Sequence, residues 1–132
     1  MKRMLTCSAL ALATAVTGLG QAAAGAARPG DRIRIVAPTL VRSQIVYDLT
    51  VQGFARRRAS AYLFVDYSGC ASSFAAEARR VPHAHDSYAV VGRFAEVSGW
   101  RSSSAGTDHA CAYLVSHSGV QLASDRISFP IR

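Results

Sequence analysis

Apolar and polar residues alternate along much of the chain after residue 30, as they do in β-strands that bury one face. The clearest example places Ile45, Tyr47, Leu49 and Val51 on one face, with mostly polar residues between them. Because successive side chains of a strand point to opposite faces, this period of two predicts a half-buried strand. The segment Arg32–Val36 alternates in the same way and predicts a shorter strand.

Further strands are predicted downstream. Residues 61–67 are apolar on both faces and rich in aromatic side chains, which favours a central strand. Another strand carries Tyr88, Val90 and Phe94 on one face, and residues 110–115 form the next. Residues 120–131 give a final strand in which the apolar face changes parity before Ile127, and this change indicates a bulge.

Turn signals and one helical segment separate these strands. Pro130 predicts an edge position for the last strand. Residues 98–108 are rich in Ser and Gly and predict a loop that contains Trp100, while residues 116–119 predict a hairpin. A short helix is expected at about residues 72–80, where a serine can cap the first turn and two arginines suit the last.

The N-terminus has the organisation of a secretory signal peptide. Lys2 and Arg3 precede an uncharged stretch whose apolar part runs from Leu5 to Leu19, and small residues follow it. This pattern predicts cleavage after residues 24–27, which leaves a single domain over residues 28–132. Removing Lys2 and Arg3 takes two charges from the formal net charge of +7 and leaves +5. No later segment is apolar enough to span a membrane. We therefore expect a secreted or extracytoplasmic protein.

The cysteines fit this location. Cleavage removes Cys7 and leaves Cys70 and Cys111. Since an exported protein meets an oxidising environment, the remaining pair predicts a disulfide. The alternative is a nucleophilic thiol at Cys111 assisted by His109, because residues two apart on a strand share a face.

The size, the order of short strands and the cysteine pair resemble a secreted immunoglobulin-like or fibronectin-type β-sandwich. The resemblance implies an antiparallel sandwich of about six to seven strands over residues 32–132. It also implies that Cys70, after the third strand, bridges to Cys111 on the neighbouring sixth strand. The chain departs from antibody-type domains because Trp100 is not on the third strand and His109 occupies the usual tyrosine position.

Histidines provide the first candidate site. His83 and His85 lie two residues apart beside Asp86, and both imidazoles could reach one metal ion if a third ligand came from elsewhere in the fold. A small exported enzyme using His109 with His83 or His85 is the corresponding catalytic hypothesis. The chain has no Gly-x-Ser-x-Gly motif, and no pair of carboxylates is singled out by spacing. We therefore expect no catalytic site, no metal and no cofactor.

Arginines provide the second candidate site. Arg56, Arg57 and Arg58 lie in a connection predicted at residues 53–59, and Arg79 and Arg80 lie at the end of the predicted helix. Guanidinium groups bind phosphate, sulfate and carboxylate groups in bidentate fashion, although exposed arginines also serve solubility alone. Presentation of Arg57 or Arg80 on a protease-inhibitor loop is a further possibility.

Taken together, these patterns favour a small secreted, non-enzymatic binding or structural domain. The expected partner is a protein or an anionic surface polymer. Nucleic acid is not expected, because no nucleic-acid-binding motif is present and an exported protein seldom meets it. The partner's identity and the oligomeric state do not follow from the sequence.

Overall fold

A computed structural model describes residues 30–80 and 85–132 of the chain. The predicted signal peptide (residues 1–27) and His83 lie outside the described residues. The elements in chain order are β1 (Arg32–Val36), β2 (Val46–Asp66), α1 (Phe74–Arg80), β3 (His85–Arg101), β4 (Gly106–Ser116) and β5 (Gln121–Ile131).

Two long antiparallel strands, β2 and β3, make the longest pairing of the sheet, which runs from Val46↔Arg101 to Phe64↔His85. On its other edge β2 changes partner along its length. It pairs with β1 up to Arg32↔Phe54 and with β4 from Ala59↔Ser116 onward. β5 then pairs with β4, and β1 packs against β4 and β5. The sheet is therefore curled into the two layers of an antiparallel immunoglobulin-like sandwich, as expected.

The described residues form five strands, whereas about six to seven were predicted. The difference arises because two predicted connections are continuous β-structure. Residues 53–59 belong to β2, which is 21 residues long, and residues 98–101 belong to β3. Trp100 pairs with Tyr47 and packs against the core, so its assignment to a loop was wrong. The Ser- and Gly-rich composition of this segment concealed the strand, although Ser98 and Trp100 continue the inward face of Phe94.

The main core lies between the two layers and consists of the alternating positions of the strands. Leu49, Val51, Leu63 and Leu114 are completely buried within it. Complete burial of such a side chain stabilises the folded state by about 1.5–3 kcal/mol. The inward face of the first half of β2 is therefore confirmed for Tyr47, Leu49 and Val51, whereas Ile45 precedes the strand and is 58% exposed.

The helix covers the side of β2 and β4 that faces away from the main core. Phe74 and Ala78 pack on a smaller cluster of buried residues on β2 and β4, namely Phe64, Cys111, Tyr113 and Val115. The Ser73 Oγ accepts a hydrogen bond from the Ala76 amide (3.2 Å), which caps the first turn. The predicted helix is thus confirmed, with its regular part at Phe74–Arg80.

Two further predictions about the strands are confirmed. The register between β4 and β5 shifts from Leu114↔Ala123 to Val115↔Gln121, so Leu122 is the extra residue of a bulge. Among the described strands β5 lies at the end of the strand order and pairs with β4, and an isolated bridge joins its last residue Ile131 to Val41. Pro130 therefore lies on an edge strand. The structure also contains the Cys70–Cys111 disulfide, which joins the segment after β2 to the neighbouring strand β4 and closes the excursion that contains α1.

Candidate functional site

The predicted arginine cluster is presented by a bulge in the middle of β2. Pairing between β2 and β3 shifts from Ala55↔Gly92 to Ala59↔Val90, so the intervening residues of β2 face only one residue of β3. Ala55 and Ala59 are buried and anchor both ends of the bulge. The three consecutive side chains of Arg56–Arg58 are all exposed.

Local geometry on β3 supports this bulge. Gly92 has a φ of 67°, a left-handed conformation that residues with a Cβ rarely adopt. A bulge needs such an irregularity because one strand must fit more residues into the same length than its partner. The connection expected at residues 53–59 is therefore irregular strand, and the arginines are held by buried flanking residues.

The bulge also coincides with the point at which β2 changes partner. Pairing with β1 ends at Phe54, and pairing with β4 begins at Ala59. The Asp31 Oδ1 accepts a hydrogen bond from the Arg56 backbone amide at 2.8 Å and so fixes the start of the bulge to the start of β1. The β4–β5 turn lies on the other side of this gap.

Together these parts form a groove of about 430 Å³, which we call the arginine groove. Its lining residues are Asp31, Arg56, Arg57, Arg58, Ser116, Ser118, Val120 and Leu122. The Ser116 and Ser118 hydroxyl oxygens lie 3.0 Å apart, and the Ser116 Oγ also accepts a hydrogen bond from the Val120 amide. The groove thus offers guanidinium donors and hydroxyl groups that can bind an anionic oxygen.

The arginines of this groove form no ion pair within 4.0 Å in the described parts of the chain, and three guanidinium groups face one carboxylate there. Across residues 30–80 and 85–132 the one ion pair within 4.0 Å joins Arg80 to Asp66. Asp31, the carboxylate of the groove, bonds to a backbone amide. The arrangement therefore has the charge pattern of an anion-binding surface.

The second predicted cluster has a different role. The Arg80 Nη2 donates to the Asp66 Oδ2 and to the Gly69 carbonyl oxygen, both at 2.6 Å, and so links α1 to the end of β2. Burial alone would raise the pKa of Asp66, but hydrogen bonds from the Ser68 amide and from Arg80 outweigh burial and lower it. Arg80 is therefore engaged within the fold, whereas Arg79 is exposed at the helix end.

The structure also bears on the protease-inhibitor possibility. Arg57 lies within β2, and Arg80 lies in α1 with its guanidinium bonded to Asp66. Neither residue is presented on an extended, exposed loop.

The described histidines lie apart. The ring of His85 packs on Phe64, with the two ring centroids 5.1 Å apart, beside one edge of β2. His109 is paired with Asp66 across the other edge of β2. With strands about 4.8 Å apart, these two positions are separated by roughly 10 Å or more between Cα atoms. His117 is exposed in the β4–β5 turn.

A contact that the sequence pattern did not predict joins His109 to Ser128. The His109 Nδ1 lies 2.7 Å from the Ser128 Oγ on the exposed surface of β4 and β5. Asp66 is the cross-strand neighbour of His109, but its two carboxylate oxygens are bonded to Ser68 and Arg80. Nineteen residues separate His109 from Ser128, so only the strand register brings them together.

Comparisons with known proteins support the fold. No protein-family model matches the chain, and no curated protein matches it. Among solved structures, the PKD domain of an M14-like peptidase from a Thermoplasmatales archaeon is 11% identical with a TM-score of 0.52, over 80% of this chain and 98% of that chain. The CARDB domain of a Pyrococcus furiosus protein, solved in complex with di-metal ions, is 11% identical with a TM-score of 0.50, over 79% and 89%. The chain therefore has an immunoglobulin-like β-sandwich fold.

Two observations concern metal and membrane. Within the described ranges, no group of three or more His, Cys, Asp or Glu side chains is placed to hold a metal ion. None of the helical structure in those same residues is long and apolar enough to cross a bilayer.

Proposed function

We propose that this chain is an exported, non-enzymatic binding domain whose arginine groove binds anionic groups of a partner protein or an anionic surface polymer. The observation that carries the proposal is the exposure of Arg56, Arg57 and Arg58 side by side on a bulge, where they form no ion pair within 4.0 Å among the described residues. No catalytic residue, metal, cofactor or nucleic acid is part of this function.

Export is proposed from the N-terminal segment together with the disulfide. Residues 1–27 act as a cleaved signal peptide, and residues 28–132 are the mature domain. The Cys70–Cys111 disulfide is compatible with an oxidising, extracytoplasmic location. Edman or mass-spectrometric determination of the mature N-terminus after secretion tests this step.

Binding at the groove follows from simple electrostatics and hydrogen bonding. Each guanidinium can donate two parallel hydrogen bonds to a carboxylate, sulfate or phosphate group. The bulge fixes the backbone of the arginines, so less conformational freedom is lost on binding than in a mobile loop. One of the Ser116 and Ser118 hydroxyl groups donates to the other, so one O–H of the pair is left to donate to the same ligand.

The test is elution from a heparin column. Changing Arg56, Arg57 and Arg58 together to serine should lower the salt concentration needed for elution much more than a control with the same charge loss. A suitable control is Arg42→Ser, Arg126→Ser and Arg132→Ser, because these arginines are exposed and lie outside the groove. Equal losses in the two variants would contradict the proposal.

The enzyme or metal-binding alternative, with His109 acting together with His83 or His85, has less support. His85 and His109 lie beside opposite edges of β2. Within the described ranges, Ser128 is the hydrogen-bond partner of the His109 imidazole, and no carboxylate is bonded to that ring to complete a catalytic triad.

A further inference from the structure

A second group of arginines lies on the solvent face of the first layer, formed by β1, β2 and β3. Two cross-strand rows are defined by the register, Arg32–Phe54–Arg93 and Arg34–Gln52–Ala95. Residues directly opposite each other on paired strands point to the same side of the sheet. Arg32, Arg34 and Arg93 are exposed, so these six residues, which we call the outer face, look toward solvent.

The outer face contains a large concavity. A cavity of about 740 Å³ is lined by all three arginines, together with Gln52, Gly53, Ala95 and the two strand residues Ile33 and Phe94. From strand geometry, the Cα atoms of Arg32 and Arg34 are about 7 Å apart along β1. Those of Arg32 and Arg93 are about 10 Å apart across β2. Three arginines therefore surround one concave surface, where their side chains can bind carboxylates carried on successive units of one ligand.

The charges and side-chain order on this surface favour an anionic ligand. The described residues contain no carboxylate within 4.0 Å of these arginines. Asp48 is on the solvent side of β2, but it lies four residues before Gln52. This separation is about 13 Å along the strand. The Arg32 guanidinium lies over the Phe54 ring, 5.4 Å from its centroid, so the aromatic ring already orders one of the three cations.

We propose that the outer face is a second binding site and that its ligand is an acidic polysaccharide. Carboxylates on successive sugars would pair with Arg32, Arg34 and Arg93, and the Gln52 amide would bond to sugar hydroxyls. The three guanidinium groups and the Gln52 amide around the concavity match the carboxylates and hydroxyl groups that repeat along an acidic sugar chain. The site depends on no residue of the arginine groove.

The test is isothermal titration of the whole mature domain with tetragalacturonate. Changing Arg32, Arg34 and Arg93 together to serine should weaken binding at least tenfold. The equally charged variants Arg42→Ser/Arg126→Ser/Arg132→Ser and Arg56→Ser/Arg57→Ser/Arg58→Ser should each change it less than threefold. Phe54→Leu should weaken binding several-fold without making its salt dependence shallower, because no charge is lost.

Each contrary result has a definite meaning. Loss of binding only in the groove variant would overturn this site and leave the proposed function standing, whereas similar losses in all three triple variants would show general attraction and overturn the site. Equal binding of fully methyl-esterified tetragalacturonate would show that the carboxylates are not recognised and would overturn the proposal. Equal binding of a thymidine oligonucleotide through the same arginines would overturn the choice of a sugar ligand.

A second measurement covers the case in which the triple variant fails to fold. In ¹H–¹⁵N spectra of the unmodified domain, tetragalacturonate should shift the side-chain amide of Gln52 and the backbone amides of Arg32 and Arg93. Shifts confined to other surfaces would overturn the proposal.

Discussion

Gly53 allows β1 and β2 to approach closely, and its replacement by alanine is the sharpest structural perturbation available in the first layer. A Cβ at this position would lie 2.0 Å from the Arg32 carbonyl oxygen and 2.9 Å from its carbonyl carbon. Both atoms belong to the backbone of β1 and cannot rotate away. The Gly53→Ala variant must therefore displace β1 from its register with β2.

The cost can be worked out from what β1 contributes. Ile33 and Ile35 are 7% and 4% exposed, and the Ile35 amide donates to the Asp125 Oδ2 at 2.8 Å. Exposing both side chains costs about 3–6 kcal/mol, which is an upper bound for complete detachment of the strand. Since small domains are stable by only about 5–15 kcal/mol, we expect a large decrease in the urea midpoint.

Gly99→Ala is the matched control. Gly99 is also a strand glycine, and a Cβ there would meet only side-chain atoms of Val46 and Asp48 at an ordinary 3.7 Å. This variant should change stability by about 0.5 kcal/mol or less. Hydrogen exchange should show faster exchange in β1 for Gly53→Ala alone. Equal urea midpoints for the two variants would refute the argument from close approach.

Three further predictions concern the rest of the fold. Replacing Cys70 and Cys111 by alanine removes a cross-link with a sequence separation of 41 and should lower the free energy of unfolding by about 4 kcal/mol. Urea unfolding followed by circular dichroism measures this change, and an unchanged midpoint would contradict the prediction. Asp66→Asn should destabilise the domain by about 1 kcal/mol at pH 7. Because the folded-state pKa of Asp66 is lowered, this effect should fade as the pH falls below 3.8. A difference in unfolding free energy between the two proteins that stays constant down to pH 2 would contradict this. Burial raises the pKa of Tyr113 to about 12, so the neutral form is favoured in the folded state and the free energy of unfolding should decrease as the pH rises from 10 to 12. Tyr113→Phe should reduce that decrease, and an identical pH profile would refute it.

The alternation of apolar residues was sufficient to predict the fold class, because burial of one face of a sheet is a local property of each strand. The inward positions Leu49 and Val51, the helix at Phe74–Arg80 and the disulfide all followed from local patterns and composition. The continuity of β2 through residues 53–59 did not follow. A strand with three adjacent arginines looks like a connection until its neighbours are known.

The surfaces depend on strand register, which local patterns do not determine. Arg56–Arg58 was predicted as a cluster because its members are adjacent in sequence, but Ser116 and Ser118 join it only through the pairing of β2 with β4. Arg93 lies beside Phe54 because of the β2–β3 register, 39 positions along the chain. Clusters whose members are distant in sequence can be recognised only from the structure.

The central claim, that the arginine groove binds anionic groups, is tested most directly by ¹H–¹⁵N titration of the mature domain with a heparin tetrasaccharide. We predict that the largest and saturable shifts occur at the backbone amides of Arg56–Arg58 and of residues 116–120 in the facing turn. These shifts should disappear when the three arginines are replaced by serine. Saturable shifts centred on α1, or no saturable shift in the groove, would contradict the claim.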